Sequence, residues 1–137
     1  MPATLSPIAA LVNVAVGGAF GAVLRYQLGR SMTAWLGPAA MGVFPWATLA
    51  VNAVGSLLMG FLAGWLALRG GEGGEQLRLL LGVGLLGGFT TFSAFSLELV
   101  LLIERGQLSL AALYALLSVA MGVCGLFAGL MLMRAAV

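Results

Sequence analysis

The segment Gly87-Gly88-Phe89-Thr90-Thr91-Phe92-Ser93-Ala94-Phe95-Ser96 holds no ionisable group, only hydroxyls, aromatic rings and a glycine pair. Two glycines followed by two β-branched threonines are poor helix formers, so a local unwinding is expected. Unwound backbone frees carbonyl oxygens. Inside a membrane such backbone is tolerated where it is buried or lines a cavity, and freed carbonyls can coordinate Na+. A continuous helix with its glycines at a crossing point is the alternative, and periodicity alone leaves it open. Phe92 and Phe95 are three apart and share a helix face, with Ser93 and Ser96 beside them. The common role of such a pair is packing, but ring edges carry the positive end of the aromatic quadrupole.

Other neutral polar residues repeat at helical spacing. Thr48, Asn52 and Ser56 fall at i, i+4 and i+8, and so do Tyr114, Ser118 and Gly122, the last without a hydroxyl. A lone Ser or Thr in a helix usually bonds back to the carbonyl one turn earlier. The Asn52 amide has more donors and acceptors than that bond satisfies, so it needs a partner helix, water or a ligand. Ring edges, an amide and hydroxyls together replace water around a small anion without a fixed positive charge. A fixed charge would hold the anion, whereas conduction needs weak binding at several sites. These residue types fit an anion pathway better than a cation pathway, and they do not name the anion.

The elements that must position these groups follow from composition. Of 137 residues, 62% are hydrophobic and 7% charged, and mean hydropathy is +1.15. A soluble domain carries about 25% charged residues, so this chain is read as an integral membrane protein, all-α. There is no His and one cysteine, Cys124, which excludes a disulfide framework, a zinc site and a Cys/His nucleophile within one chain. The six Arg are spread singly, form no basic patch and give no reason to expect nucleic acid as a partner. A transmembrane helix needs about 20 apolar residues. Charges and Gly/Pro punctuation place four helices at about 8–30, 44–68, 77–103 and 108–133 in a single domain spanning 1–137. Gly37-Pro38 and Pro45 bound a loop before the second helix, Arg69 to Glu75 forms the glycine-rich loop after it, and Glu104-Arg105-Gly106 turns into the fourth. The first stretch lacks a basic flank and is expected to be a retained helix, not a signal peptide. The middle of each helix has no ionisable residue, Arg25 and Glu98 lying nearer the ends, which argues against a proton-coupled pump.

Orientation is balanced. With the N-terminus cytoplasmic, Arg69, Arg78 and Arg134 fall on that side and Arg25, Arg30 and Arg105 on the other. The positive-inside rule needs an excess to fix topology, so insertion in both orientations and an antiparallel homodimer are expected. Small residues every four positions, such as Gly17/Gly21, Gly60/Gly64, Gly84/Gly88 and Gly125/Gly129, allow close helix packing in lipid, within one subunit or between two.

Residues 87–96 resemble the third-helix signature of the CrcB/Fluc fluoride channels. Gly-Ala-Val-Leu-Arg-Tyr (21–26), Val-Asn-Ala-Val-Gly-Ser (51–56) and Glu-Arg-Gly (104–106) match other parts of that family, in order and over essentially the whole chain. The resemblance implies a dual-topology antiparallel homodimer with two fluoride pores in a bacterial-type inner membrane, passing fluoride passively and performing no enzyme chemistry. By resemblance, Phe92 and Phe95 contact fluoride, Asn52 stands beside the pathway, Tyr114 and Ser118 continue it, and Ser93 is a further hydroxyl; Thr48, one turn before Asn52, is placed on the same pathway by its spacing. Gly87 and Thr90 would offer backbone carbonyls to a structural Na+ at the dimer centre, and Arg25 would draw anions to a pore mouth. Ala94 replaces a Thr found in many members, and Gly122 lacks a hydroxyl that often extends the fourth-helix track. Two alternatives stand beside this: a four-helix drug/proton antiporter, for which Glu98 is the one candidate carboxylate, and a non-transporting membrane scaffold.

Overall fold

The computed structural model describes residues 5–71 and 73–136; Glu72, in the glycine-rich loop, lies outside the described residues. Ser6 caps the first helix by accepting the Ala9 amide at 3.2 Å, with Pro7 at the first helical position, where its missing N–H is no loss. Helix α1 runs Pro7–Val43. Winding continues past Arg30, further than the sequence boundary, because no Gly or Pro interrupts residues 31–36 and the Thr33 hydroxyl bonds back to the Gly29 carbonyl at 2.9 Å. It is interrupted at Gly37, whose φ of 84° and ψ of 154° suit glycine alone. Helix α2 runs Trp46–Arg69.

The third span is compound. It opens with α3, Gly74–Leu77, and widens into a π-wound stretch over Arg78–Leu86, where the Gly87 N–H bonds the Gly82 carbonyl. It then passes through α4, Gly87–Phe89, bends at Thr90 and Thr91, and resumes as α5, Phe92–Glu104. Helix α6 is Leu108–Ala135, entered through Gly106 at φ 72°. Taken as Pro7–Val43, Trp46–Arg69, Gly74–Glu104 and Leu108–Ala135, the four spans are each long and apolar enough to cross a membrane.

Glycine sets the close helix contacts. A Cβ on Gly17 or Gly21 would collide with the carbonyl of Leu80 or Leu85, so α1 lies backbone to backbone against the third span. A Cβ on Gly60 or Gly129 would strike the carbonyl of Leu126 or Leu57, which seats α2 on α6 in the same way. In lipid such van der Waals contact takes the place of a hydrophobic drive. A small buried cluster joins Phe44, Leu49, Leu102, Ala111 and Tyr114, with Phe95 and Leu99 against it. It sits beside the bend, where the polar groups gather.

Candidate functional site

The bend is held by side chains that replace the missing helical bonds. Thr90 has φ −78° and ψ 159°, and Thr91 φ −153° and ψ 121°, so two residues run extended between helices. Thr91 is the N-cap of α5, its hydroxyl accepting the Ala94 N–H at 3.2 Å, as β-branched hydroxyl residues do at helix starts. The Thr90 hydroxyl donates to the Leu86 carbonyl at 2.8 Å. Asn52 pairs with the extended backbone at two points. Its Nδ2 donates to the Thr91 carbonyl at 3.0 Å, and its Oδ1 accepts the Thr91 N–H at 2.8 Å. The partner that the Asn52 amide required is therefore the bend itself.

The consequence for the backbone is specific. In an unbroken helix the Thr91 N–H would bond the Gly87 carbonyl and the Ala94 N–H the Thr90 carbonyl. Here those donors go to Asn52 Oδ1 and to the Thr91 hydroxyl. Gly87 and Thr90 thus each keep a carbonyl oxygen whose helical donor has been taken elsewhere.

On one side of the bend, a cavity of about 330 Å³ brings together Asn52, Ser56, Phe92, Phe95 and Ser118. The Ser118 hydroxyl is buried and has no hydrogen-bond partner among the described residues. Phe92 and Phe95 lie 5.6 Å apart between ring centroids. From Phe95 the aromatic contacts continue to Tyr114 at 5.1 Å and on to Phe44 at 5.5 Å, the latter edge to face. On the other side, a cavity of about 640 Å³ is lined by Arg25, Arg30, Thr33, Thr48 and Thr91. Thr91 borders both cavities, so the bend stands between them. Ser93 lines neither; it is exposed, with its hydroxyl 3.3 Å from that of Thr91.

Thr48 and Tyr114 meet at a group that motif reading set aside. The Thr48 hydroxyl donates to one oxygen of the Glu98 carboxylate and the Tyr114 hydroxyl to the other, both at 2.7 Å. With one hydroxyl on each oxygen, these two hydrogen bonds satisfy a half-buried acid. Glu98 is three residues after Phe95 and four after Ala94, so its place on the same face was readable from spacing. Its two donors come from other helices and were not. A smaller cavity of about 180 Å³ lies against Glu98, Phe44, Gly42 and Arg105, where the Arg105 guanidinium donates to the Gly42 carbonyl at 3.3 Å.

Four membrane-length spans, the third of them bent, with neutral hydroxyls, an amide and aromatic edges gathered at the bend, define a small multi-pass membrane protein with a polar track. The profile of the CrcB-like protein family, named for camphor resistance, matches residues 12–130, and the chain belongs to this family. It is 63% identical over 131 residues to a protein of Erythrobacter litoralis (strain HTCC2594) named fluoride-specific ion channel FluC, covering 96% of each chain. A protein of the same name from Novosphingobium aromaticivorans is 67% identical over 121 residues, covering 88% of this chain and 93% of the relative. One from Phenylobacterium zucineum is 58% identical over 125 residues, covering 91% and 95%. The family is one of channels, and the chain is not an enzyme.

Proposed function

We propose that this chain is a fluoride-selective channel that lets fluoride leave a bacterial cell passively across the inner membrane. The names of its relatives support the ion, and one observation supports the route: a single cavity at the bend collects Asn52, Phe92, Phe95 and Ser118. One Asn52 N–H is committed to Thr91, which leaves the second for an anion. The unpartnered Ser118 hydroxyl and the phenylalanine edges complete a set of weak donors, with no cation among the residues lining this cavity to hold the ion. Arg25 and Arg30 border the wider cavity on the far side of Thr91, where positive charge concentrates anions before they enter. Beyond Phe95, the hydroxyls of Thr48 and Tyr114 rotate between the Glu98 carboxylate and a passing fluoride, so the acid holds them in place while the anion is absent.

The functional unit is a dual-topology antiparallel homodimer. Phe92 is 79% exposed on the single chain, so a second copy over this face would close the pathway and shield the ring from lipid. The same dimer supplies a site for Na+. The Gly87 and Thr90 carbonyls, relieved of their helical donors, are hard oxygen ligands suited to it, and bound Na+ would supply positive charge that fastens the two bends together. The antiporter alternative needs a carboxylate free to exchange protons with substrate, whereas both Glu98 oxygens accept hydroxyl donors.

The test is efflux from liposomes holding the purified protein, with a potassium ionophore clamping the voltage. Fast fluoride efflux with negligible chloride efflux is the expected result. Absence of fluoride efflux from folded, dimeric protein overturns the proposal.

A further inference from the structure

Asn52 and Thr91 do more at the bend than border a pathway. The two carbonyls named for Na+, those of Gly87 and Thr90, have each lost one helical donor, and each has lost it to a different side chain. Asn52 Oδ1 takes the Thr91 N–H at 2.8 Å, and the Thr91 hydroxyl takes the Ala94 N–H at 3.2 Å. Without these acceptors the two N–H groups would be left unsatisfied in an apolar setting, which is costly. Their nearest alternative is to wind back onto Gly87 and Thr90 and close the helix. A third element keeps the bend in position. Gly55, three residues after Asn52 on the same helix face, leaves room for the Thr90 methyl, with which a Cβ on Gly55 would collide. The Thr90 hydroxyl is tied down separately, to the Leu86 carbonyl at 2.8 Å.

We infer that Asn52 and the Thr91 hydroxyl are the positioning residues of the cation site: each holds one carbonyl open by taking its backbone donor, and Gly55 admits the bend between them. This inference rests on the sodium reading above and adds that the cation site is built from α2, not from the third span alone. A residue beside the fluoride path thus also sets the affinity for the cation, and the two roles are separable by chemistry. An Asp at position 52 still accepts the Thr91 N–H, but it gives up the bond to the Thr91 carbonyl and offers no amide donor to an anion. An Ala does neither.

The experiment is thermal unfolding of the purified full-length dimer across a series of NaCl concentrations, with choline chloride holding ionic strength constant, alongside fluoride efflux. Wild type is expected to gain stability with Na+. Asn52→Ala and Thr91→Val each raise the sodium concentration for half the effect about tenfold or more, the scale of one lost contact to a charged group. Thr91→Ser restores the wild-type value because serine caps as threonine does. Asn52→Asp, which keeps only the acceptor half of the pairing, retains more of the sodium effect than Asn52→Ala while losing fluoride efflux, and Gly55→Ala weakens the sodium effect. If Asn52→Ala does not fold, the Thr91→Val and Thr91→Ser pair and Asn52→Asp carry the test. A wild type stabilised by Na+ whose half-effect concentration is unmoved in Thr91→Val and Asn52→Ala overturns the inference and leaves the sodium reading standing. A wild type indifferent to Na+ overturns both.

Discussion

Tyr114 is fully buried, and its hydroxyl reaches Glu98 from α6 while Thr48 reaches the same carboxylate from α2. Removing one donor leaves a half-buried carboxylate oxygen without a partner. Tyr114→Phe should therefore destabilise the protein by about 1–3 kcal/mol, the range for leaving a buried hydrogen-bonding group unsatisfied, read as a shift in denaturation midpoint. Its fluoride efflux should slow as well, since the hydroxyl is part of the proposed track. Phe92→Ile tests the ring edge separately. It keeps an apolar side chain of similar bulk but loses the quadrupole, so fluoride efflux should fall about two- to tenfold, matching the 0.5–1.5 kcal/mol of an aromatic contact. Because Phe92 is exposed on the single chain, stability of the isolated fold should change little.

At the scale of elements, two helix pairs are locked by glycine: α1 on the third span through Gly17 and Gly21, and α2 on α6 through Gly60 and Gly129. Gly60→Leu places a branched side chain against the Leu126 carbonyl. The expected cost is about 1–3 kcal/mol or more of overpacking, seen as a lower unfolding temperature and earlier aggregation in detergent, with fluoride efflux falling in proportion to the folded fraction. How far these elements were legible in the sequence depends on the kind of signal. Charges and prolines mark the four spans because leaving the bilayer requires them. Gly87-Gly88 and Thr90-Thr91 mark the bend because their backbone preferences are local. The prolongation of α1 to Val43, through residues read as loop and across the kink at Gly37, carried no charge signal, and the π winding before Gly87 has no sequence signature at all. The Asn52–Thr91 pairing and the donors to Glu98 join residues far apart in the chain. Spacing along one helix shows which face a residue occupies, and it does not show what the next helix brings to that face.

For the whole molecule, the long apolar residues of the single chain point outward: Ile8 is 75% exposed, Leu11 70% and Leu116 71%. Such surface belongs against lipid or another copy. The sides assigned from the sequence carry arginines in equal number, Arg69, Arg78 and Arg134 against Arg25, Arg30 and Arg105, which is the electrostatic condition for the proposed double orientation. Replacing Arg69 and Arg78 by Ala should fix one orientation and abolish activity expressed alone, while the Arg30→Ala, Arg105→Ala chain fixes the other. Fluoride resistance of cells should return only when both are made together, and recovery by either alone would contradict the antiparallel pair. The central claim, that this pairing forms a passive and selective fluoride conductor, is tested most directly by current through a planar bilayer holding the wild-type protein. With a fluoride gradient and symmetric chloride, the account predicts a reversal potential that moves by about 59 mV for each tenfold change in the fluoride ratio and ignores pH. A reversal potential that follows chloride or the proton gradient instead would contradict it.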